Sequence, residues 1–219
     1  MALNLRIVLA TSATRPPEHV AIQAGERSLT YAQLDRCARG IASGLLGSGL
    51  RPGERVALMI PNTPEFTQAY FGCLYAGLTI VPLNMLLTAP EVTYHLQDSG
   101  AKLLIAHAQC APAAVPGAAD AGVPCIPCQG EGPSAGHDLD ALAQAPPLEA
   151  LASRDENDTA VILYTSGTTG KSKGAELTQA NLLLNAALVL PRLVPLDRDE
   201  VPLAVLALFH SFGQTCIQN

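Results

Sequence analysis

Residues 164–174 read YTSGTTGKSKG, a run built from short hydroxyl side chains, glycines and lysines. Gly167 and Gly170 permit positive φ and close backbone approach, so successive amides can turn inward as an anion nest. Thr165, Ser166, Thr168 and Thr169 add hydroxyl donors, and Lys171 and Lys173 add positive charge. Such a set can hold several phosphoryl oxygens at once. The alternative is a solvated Ser/Thr/Gly hairpin with no ligand. The density of donors directly behind an apolar run speaks for a phosphate.

The stretch stands one letter from a Walker A loop, G-x-x-x-x-G-K-[ST], because Thr165 occupies the place of the first glycine. A Walker A loop runs straight into a helix whose N-terminus faces the phosphates. Here Gly174 would fall in that first turn, and AEL (175–177) reads as extended. The next helix start is Thr178, ahead of QANLLLNAALVL. No apolar run ends in a Walker-B aspartate. A P-loop nucleotidase is therefore the lesser reading, and a glycine-hinged loop joining two strands is the expected geometry.

The elements around the loop define an α/β chain. TAVILY (159–164) is an apolar strand that delivers the chain into it. Upstream, Thr30 and Gln33 form a capping box ahead of Leu34, Cys37, Ala38, Ile41, Ala42 and Leu45 at helical spacing, closed by Gly47 and Gly49. RVALMI (55–60) is a strand, and Thr63-Pro64-Glu65 starts a helix with Phe66, Ala69, Tyr70, Cys73 and Leu74 on one face, ended by Gly77. LTIVP (78–82) is strand. Thr88-Ala89-Pro90-Glu91 starts a helix that runs to about Ser99-Gly100, and KLLIAH (102–107) is strand again. Strands apolar throughout, spaced by helices, predict a predominantly parallel sheet with helices on both faces. Between 110 and 158 the composition turns to Ala, Pro and Gly. That region predicts a short broken helix, a strand near 123–127 and a variable surface connection.

Composition bounds the rest. The chain has 219 residues, 48% hydrophobic and 15% charged, enough to bury a sizeable core. A net charge of -6 without a basic stripe argues against nucleic acid as a partner. The first residues, MALNLRIVLATSATRPPEH, read as an amphipathic helix and make a weak secretory signal. No run reaches the ~20 apolar residues of a membrane span. Peripheral membrane contact stays open, and the expected location is the cytoplasm. Six cysteines lie scattered at 37, 73, 110, 125, 128 and 216, as in a reducing compartment. Cys125 and Cys128, in VPCIPC, lack a following helix or a second zinc-spaced pair and read as small hydrophobes on a short strand.

Taken together, these segments resemble the adenylate-forming superfamily of acyl-CoA synthetases, luciferases and peptide-synthetase adenylation domains. YTSGTTGKSKG matches that family's phosphate-loop motif, Tyr-Thr-Ser-Gly-Thr-Thr-Gly-x-Pro-Lys-Gly, at every fixed position except Ser172, which replaces proline. That departure is expected to loosen the loop slightly. SLTYAQLDRCARGIASGL (28–45), RPGERVALMIPNTPEFTQAYFGCLYAGLTIVPLN (51–84) and LTQANLLLN (177–185) resemble the family's other N-terminal segments, with Gln179 where His is common. LALFHSFGQT (206–215) resembles its Pro-Leu-Phe-His-x-x-Gly motif, with Ala207 for proline. Phe209-His210 followed by Phe212-Gly213 is similar to the acyl-CoA and aryl-CoA ligase branch. It implies a fatty or other apolar carboxylate, with fatty acid the first expectation.

The resemblance implies a reaction in two halves. A carboxylate attacks the α-phosphorus of ATP to give acyl-adenylate and pyrophosphate, and a thiol then displaces AMP. That thiol belongs to coenzyme A or to an acyl carrier protein. Thr165, Ser166, Gly167, Thr168, Thr169 and Gly170 with Lys173 would grip the β- and γ-phosphoryl oxygens, with Mg²⁺ held by phosphates and water and no dedicated protein metal ligand. His210 would form the wall near the acyl carboxylate and α-phosphate. His19, His95, His107 and His137 have no such context. The family's Gly-Tyr-Gly-x-Thr-Glu stretch, ribose-binding Asp, hinge and C-terminal domain with its adenylation lysine do not occur in these residues. Residues 1–219 are therefore expected to be the N-terminal portion of the AMP-binding domain and inactive alone. A naturally short, non-catalytic relative that binds nucleotide or a partner is the alternative.

Overall fold

The computed structural model describes residues 4–14, 16, 18–128, 138–165, 171–189, 192 and 200–219. A short helix α1 (Ile7–Ser12) comes first, with Leu5 and Leu9 buried. The Leu5 amide donates to Gln179 Oε1 at 3.0 Å, and Arg6 donates to the carbonyls of Leu151 and Ala152, which fastens the helix to distant parts of the chain. A two-stranded antiparallel hairpin follows, β1 (Val20–Ala24) and β2 (Arg27–Thr30), turning at Gly25 with φ of +59°.

Helix α2 (Tyr31–Gly47) begins where its capping box predicts: the Gln33 amide donates to Thr30 Oγ1 at 3.2 Å and the Thr30 amide to Gln33 Oε1 at 2.9 Å. After β3 (Arg55–Met59), helix α3 (Pro64–Tyr75) is buried on nearly all sides. The sequence pattern had suggested one covered face. The difference arises because α3 is sandwiched between the sheet and α2, with the α2 backbone close enough that a Cβ on Gly72 would lie 2.8 Å from Ile41 Cβ. Its Glu65, 1% exposed, is paired with Arg27 Nη2 at 2.6 Å.

β4 (Thr79–Pro82), α4 (Ala89–Ser99) and β5 (Leu103–His107) follow the expected alternation, with α4 ended by Gly100 at φ +66°. Helix α5 (Ala111–Ala121) then runs unbroken for 11 residues although Pro116 lies inside it. Composition had predicted a broken helix there. Packing overrides it: α5 lies against α4 so closely that a Cβ on Gly117 would come 2.7 Å from Val92 Cβ, and Thr93 Oγ1 donates to the Gly117 carbonyl at 3.1 Å. β6 (Cys125–Cys128), α6 (Leu139–Ala143), β7 (Thr159–Thr165), β8 (Lys173–Thr178) and α7 (Gln179–Leu184) complete the regular elements, with π-helical turns over Asn185–Val189 and Gln214–Gln218.

The main sheet has the order β6-β5-β3-β4-β7-β8, parallel except for β7 against β8. Side-chain alternation divides the core into two layers. Val56, Leu58, Ile80, Ile105, Val161 and Leu163 face the layer that holds α2 and α3. Ala57, Met59, Val81, Leu104 and Ile162 face the layer that holds α4 and α5. The chain moves from β3 to β4 in one direction and then back across β3 to β5. Crossovers of one hand put α3 and α4 on opposite faces, so a switch point lies between β3 and β4. In such sheets the crevice outside the carboxyl ends of the strands is where ligands bind. Cys125 packs into one layer and Cys128 into the other, so strand geometry holds the two thiols on opposite faces. Among the described residues no helix is long and apolar enough to cross a membrane.

Candidate active site at the carboxyl edge of the sheet

The stretch that opened the sequence reading lies between two antiparallel strands. β7 ends at Thr165, and β8 begins at Lys173, its register partner; Tyr164 pairs with Gly174 and Leu163 with Ala175. The backbone after Ser172 is extended, not helical, which rules out the Walker A arrangement on geometric grounds. Gly174 is required by packing. A Cβ there would lie 2.8 Å from Ile162 Cγ2 and 3.3 Å from Tyr164 Cζ. Ser166, Gly167, Thr168, Thr169 and Gly170, the residues expected to cradle phosphate, lie outside the described residues, as does His137.

The two shoulders of that loop open onto a cleft of about 950 Å³ at the carboxyl edge of the sheet. Pro82, Leu83 and Asn84 at the end of β4, Thr165 at the end of β7, Lys171 and Ser172 all line it. Lys173 does not line the cleft itself. By strand alternation it shares the face of Ala175 and Leu177, which do. His210 closes the cleft with Phe209, whose ring centroid is 4.8 Å from that of His210. Thr165 and His210, far apart in sequence, thus share one wall system.

Asn62 places the His210 segment. Its Nδ2 donates to the carbonyls of Leu206 at 2.7 Å and Ala204 at 3.2 Å, and its Oδ1 accepts from the Leu208 amide at 2.9 Å. Leu208 is thereby drawn into the core at 5% exposure, and His210 follows exposed at the start of the turn Ser211–Gly213. A Cβ on Gly213 would run into the Ala207 carbonyl, which explains the glycine of that motif.

Helix α4 supplies the opposite wall, and its contribution was not read from the sequence. Tyr94 Oη donates to the Ser172 carbonyl at 2.8 Å, and His95 Nε2 lies 3.2 Å from Ser172 Oγ. The Lys171 ammonium sits 5.6 Å from the Tyr94 ring centroid. Tyr164 packs edge-on against His95 at 4.3 Å and donates its hydroxyl to Asp98 Oδ2 at 2.6 Å. Burial, aided by that carboxylate, pushes the Tyr164 phenol up, so it stays a neutral donor. Glu91, the carboxylate in the cleft wall, accepts from the Thr88 amide and hydroxyl at 2.7 Å each, and those hydrogen bonds hold it below the ordinary range. The signal for this wall was Glu91, Tyr94, His95 and Asp98 at i, i+3, i+4, i+7, a polar stripe on a helix that faces a sheet edge.

The donor set fits a polyphosphate nucleotide beside an apolar acid. Lys171 with the hydroxyls of Thr165 and Ser172 gathers at the loop end, and Leu83, Leu87, Leu163, Leu177 and Phe209 line the remainder. A cleft of this size falls in the range of small-molecule sites, about 300–1,000 Å³. Architecture and site together define an α/β domain with a small-molecule-sized cleft at the carboxyl edge of its sheet.

Comparison with known proteins specifies the family. The sequence model of the AMP-binding enzyme family matches residues 9–218, and the chain belongs to that family. It is 38% identical over 206 residues to a feruloyl-CoA synthase of Amycolatopsis sp, covering 92% of this chain and 39% of that protein. It is 34% identical over 196 residues to the long-chain-fatty-acid–CoA ligase FadD13 of Mycobacterium tuberculosis, covering 86% of this chain and 37% of that protein. Among solved structures, ATP-bound MatB from Rhodopseudomonas palustris superposes with a TM-score of 0.86 at 31% identity, over 100% of this chain and 43% of that one. The chain thus spans about two-fifths of the length of these relatives.

Proposed function

We propose that the protein takes part in ATP-dependent activation of a carboxylic acid. The acid is joined to AMP with release of pyrophosphate, and the acyl group then passes to the thiol of coenzyme A, or of an acyl carrier protein. Residues 1–219 would form the N-terminal portion of the AMP-binding domain, acting in the cytoplasm. The observation that carries the reading is that Thr165, Lys171 and Ser172, which flank the β7–β8 connection, line the same cleft as His210.

Carboxylate and triphosphate repel one another, so the site's work is to hold them in line and to offset charge on the leaving pyrophosphate. Thr165 and the loop residues Ser166 to Gly170 would supply hydroxyl and amide donors to the β- and γ-phosphoryl oxygens. Lys173 at the start of β8, with Lys171 in the wall, would supply positive charge. His210 would stand at the junction of acyl carboxylate and α-phosphate. Mg²⁺ would be held mainly by phosphates and water.

The apolar wall formed by Leu83, Leu163, Leu177 and Phe209 supports an apolar acid, with a fatty acid as the primary reading. An aryl acid is the second, favoured by the 38% identity to a feruloyl-CoA synthase against 34% to a fatty-acid ligase. ATP–pyrophosphate exchange by the complete polypeptide against fatty, aryl and amino acids tests both. Lys173→Ala and Thr169→Val should each slow exchange by about 10²–10³ with the fold intact. Wild-type rates in both variants, or activity with amino acids alone, would refute the assignment.

A further inference from the structure

Two adjacent side chains on α4 reach across to the loop's returning arm, and neither belongs to the phosphate motif. Tyr94 grips the Ser172 carbonyl at 2.8 Å and His95 meets the Ser172 hydroxyl at 3.2 Å. His95 is itself fixed. Its Nδ1 lies 2.6 Å from the Glu91 carbonyl oxygen, which can only accept, so Nδ1 carries the proton. In the neutral ring Nε2 is then an acceptor, and Ser172 Oγ donates to it. His95 is buried, 6% exposed, and its ring packs against Tyr164, whose hydroxyl is anchored on Asp98. Helix α4 is held at its start by the Thr88–Glu91 capping box. The contact on Ser172 therefore comes from a rigid frame, one residue before β8 begins.

We propose that Tyr94 and His95 are positioning residues for the phosphate loop, acting through Ser172. They fix where the chain re-enters the sheet, and so where Lys171 and Lys173 stand relative to the cleft. This rests on the nucleotide-binding reading above. The loop motif that this sequence resembles has proline at position 172, where a ring fixes φ without any side-chain partner. Here the Ser172 hydroxyl's contact with His95 stands in for that internal constraint, beside a Tyr94 bond to the carbonyl that either residue accepts. An arm fixed before the ligand arrives has less order to gain on binding, which strengthens affinity without touching the ligand.

The test uses Tyr94→Phe, Ser172→Ala and Ser172→Pro. Amide hydrogen exchange is measured over residues 171–174 of this chain, and KM for ATP, KM for the acid and kcat are measured in the complete polypeptide. Loss of either hydrogen bond should speed exchange and raise KM for ATP by about three- to tenfold, with KM for the acid unchanged. Ser172→Pro should bring KM for ATP back toward wild type, a rescue that general destabilisation would not allow. Unchanged exchange in both Tyr94→Phe and Ser172→Ala, or equal rises in both KM values, would overturn the proposal. Absence of ATP-dependent activity in the wild-type polypeptide would sink the functional reading instead, while exchange over 171–174 would still decide whether the tether exists.

Discussion

Alanine at Gly174 is the most direct perturbation of the loop's foundation. Its Cβ would stand 2.8 Å from Ile162 Cγ2 and 3.3 Å from Tyr164 Cζ. Carbon–carbon contact is comfortable at about 3.5–4.0 Å, so one partner must give way by roughly 0.7 Å. Neither neighbour can yield easily. Ile162 is 6% exposed inside the layer shared with α4 and α5, and the Tyr164 hydroxyl is tied to Asp98. Overpacking of this kind costs about 1–3 kcal/mol. With a urea dependence near 2 kcal/mol per molar, the unfolding midpoint of Gly174→Ala should fall by about 0.5–1.5 M. Ile162→Ala alone should cost about 2–5 kcal/mol as a cavity. It also removes the Cγ2 atom that the new Cβ strikes. The double variant should therefore be more stable than the sum of the two losses by about 1 kcal/mol or more. Urea unfolding of the four proteins, followed by far-ultraviolet circular dichroism, completes the cycle. Additivity to within about 0.3–0.5 kcal/mol would show that the two residues do not collide and that Gly174 is there for another reason.

Two further outcomes follow from the titrating groups. Glu91 is held below its unfolded value by hydrogen bonds from Thr88, so its contribution is present above the ordinary carboxylate range, near pH 4.3, and is lost as pH falls through the folded value. Glu91→Ala should therefore cost about 0.5–1 kcal/mol at pH 7, and the gap to wild type should narrow below about pH 4 in pH-dependent unfolding; a constant gap would remove the charge from the explanation. Burial pushes the Cys73 thiol up to about 12 and Cys128 higher still, so alkylation of the native chain at pH 8 should spare both. Labelling of either faster than global unfolding, read by mass spectrometry of peptides, would contradict their placement in the core.

The α/β architecture was legible because its signals are local. RVALMI, KLLIAH and TAVILY carry apolar residues on both faces, which only a sheet covered on both sides can use, and Thr30, Thr88 and Thr178 announce helix starts through side chains three residues away. Elements whose stability is tertiary were harder to read. The β1–β2 hairpin has no buried residue, so its sequence carries no apolar alternation to detect. Pro116 and Gly117 look like breakers in α5 until α4 is placed beside them, when the glycine becomes the point of close approach.

The site divides along the same line. Its loop is one continuous run, so composition alone revealed a phosphate-like donor set, and His210 was singled out by its neighbours in sequence. Asn62, Tyr94 and His95 act across 77 to 146 residues of chain, and even the polar stripe on α4 does not name the partner it meets. Ser172 shows the consequence. Judged within its own motif, serine for proline removes a constraint and predicts a looser loop. Judged within the fold, the same side chain gains the His95 contact, while its carbonyl takes a bond from Tyr94 that proline at this position would also accept. Rigidity at that point is then a property of α4 as much as of the loop. It follows that substitutions at Ser172 and on α4 should not be independent: Tyr94→Phe should cost more beside Ser172→Ala than beside Ser172→Pro, because the proline ring supplies the restraint that the His95 contact otherwise gives.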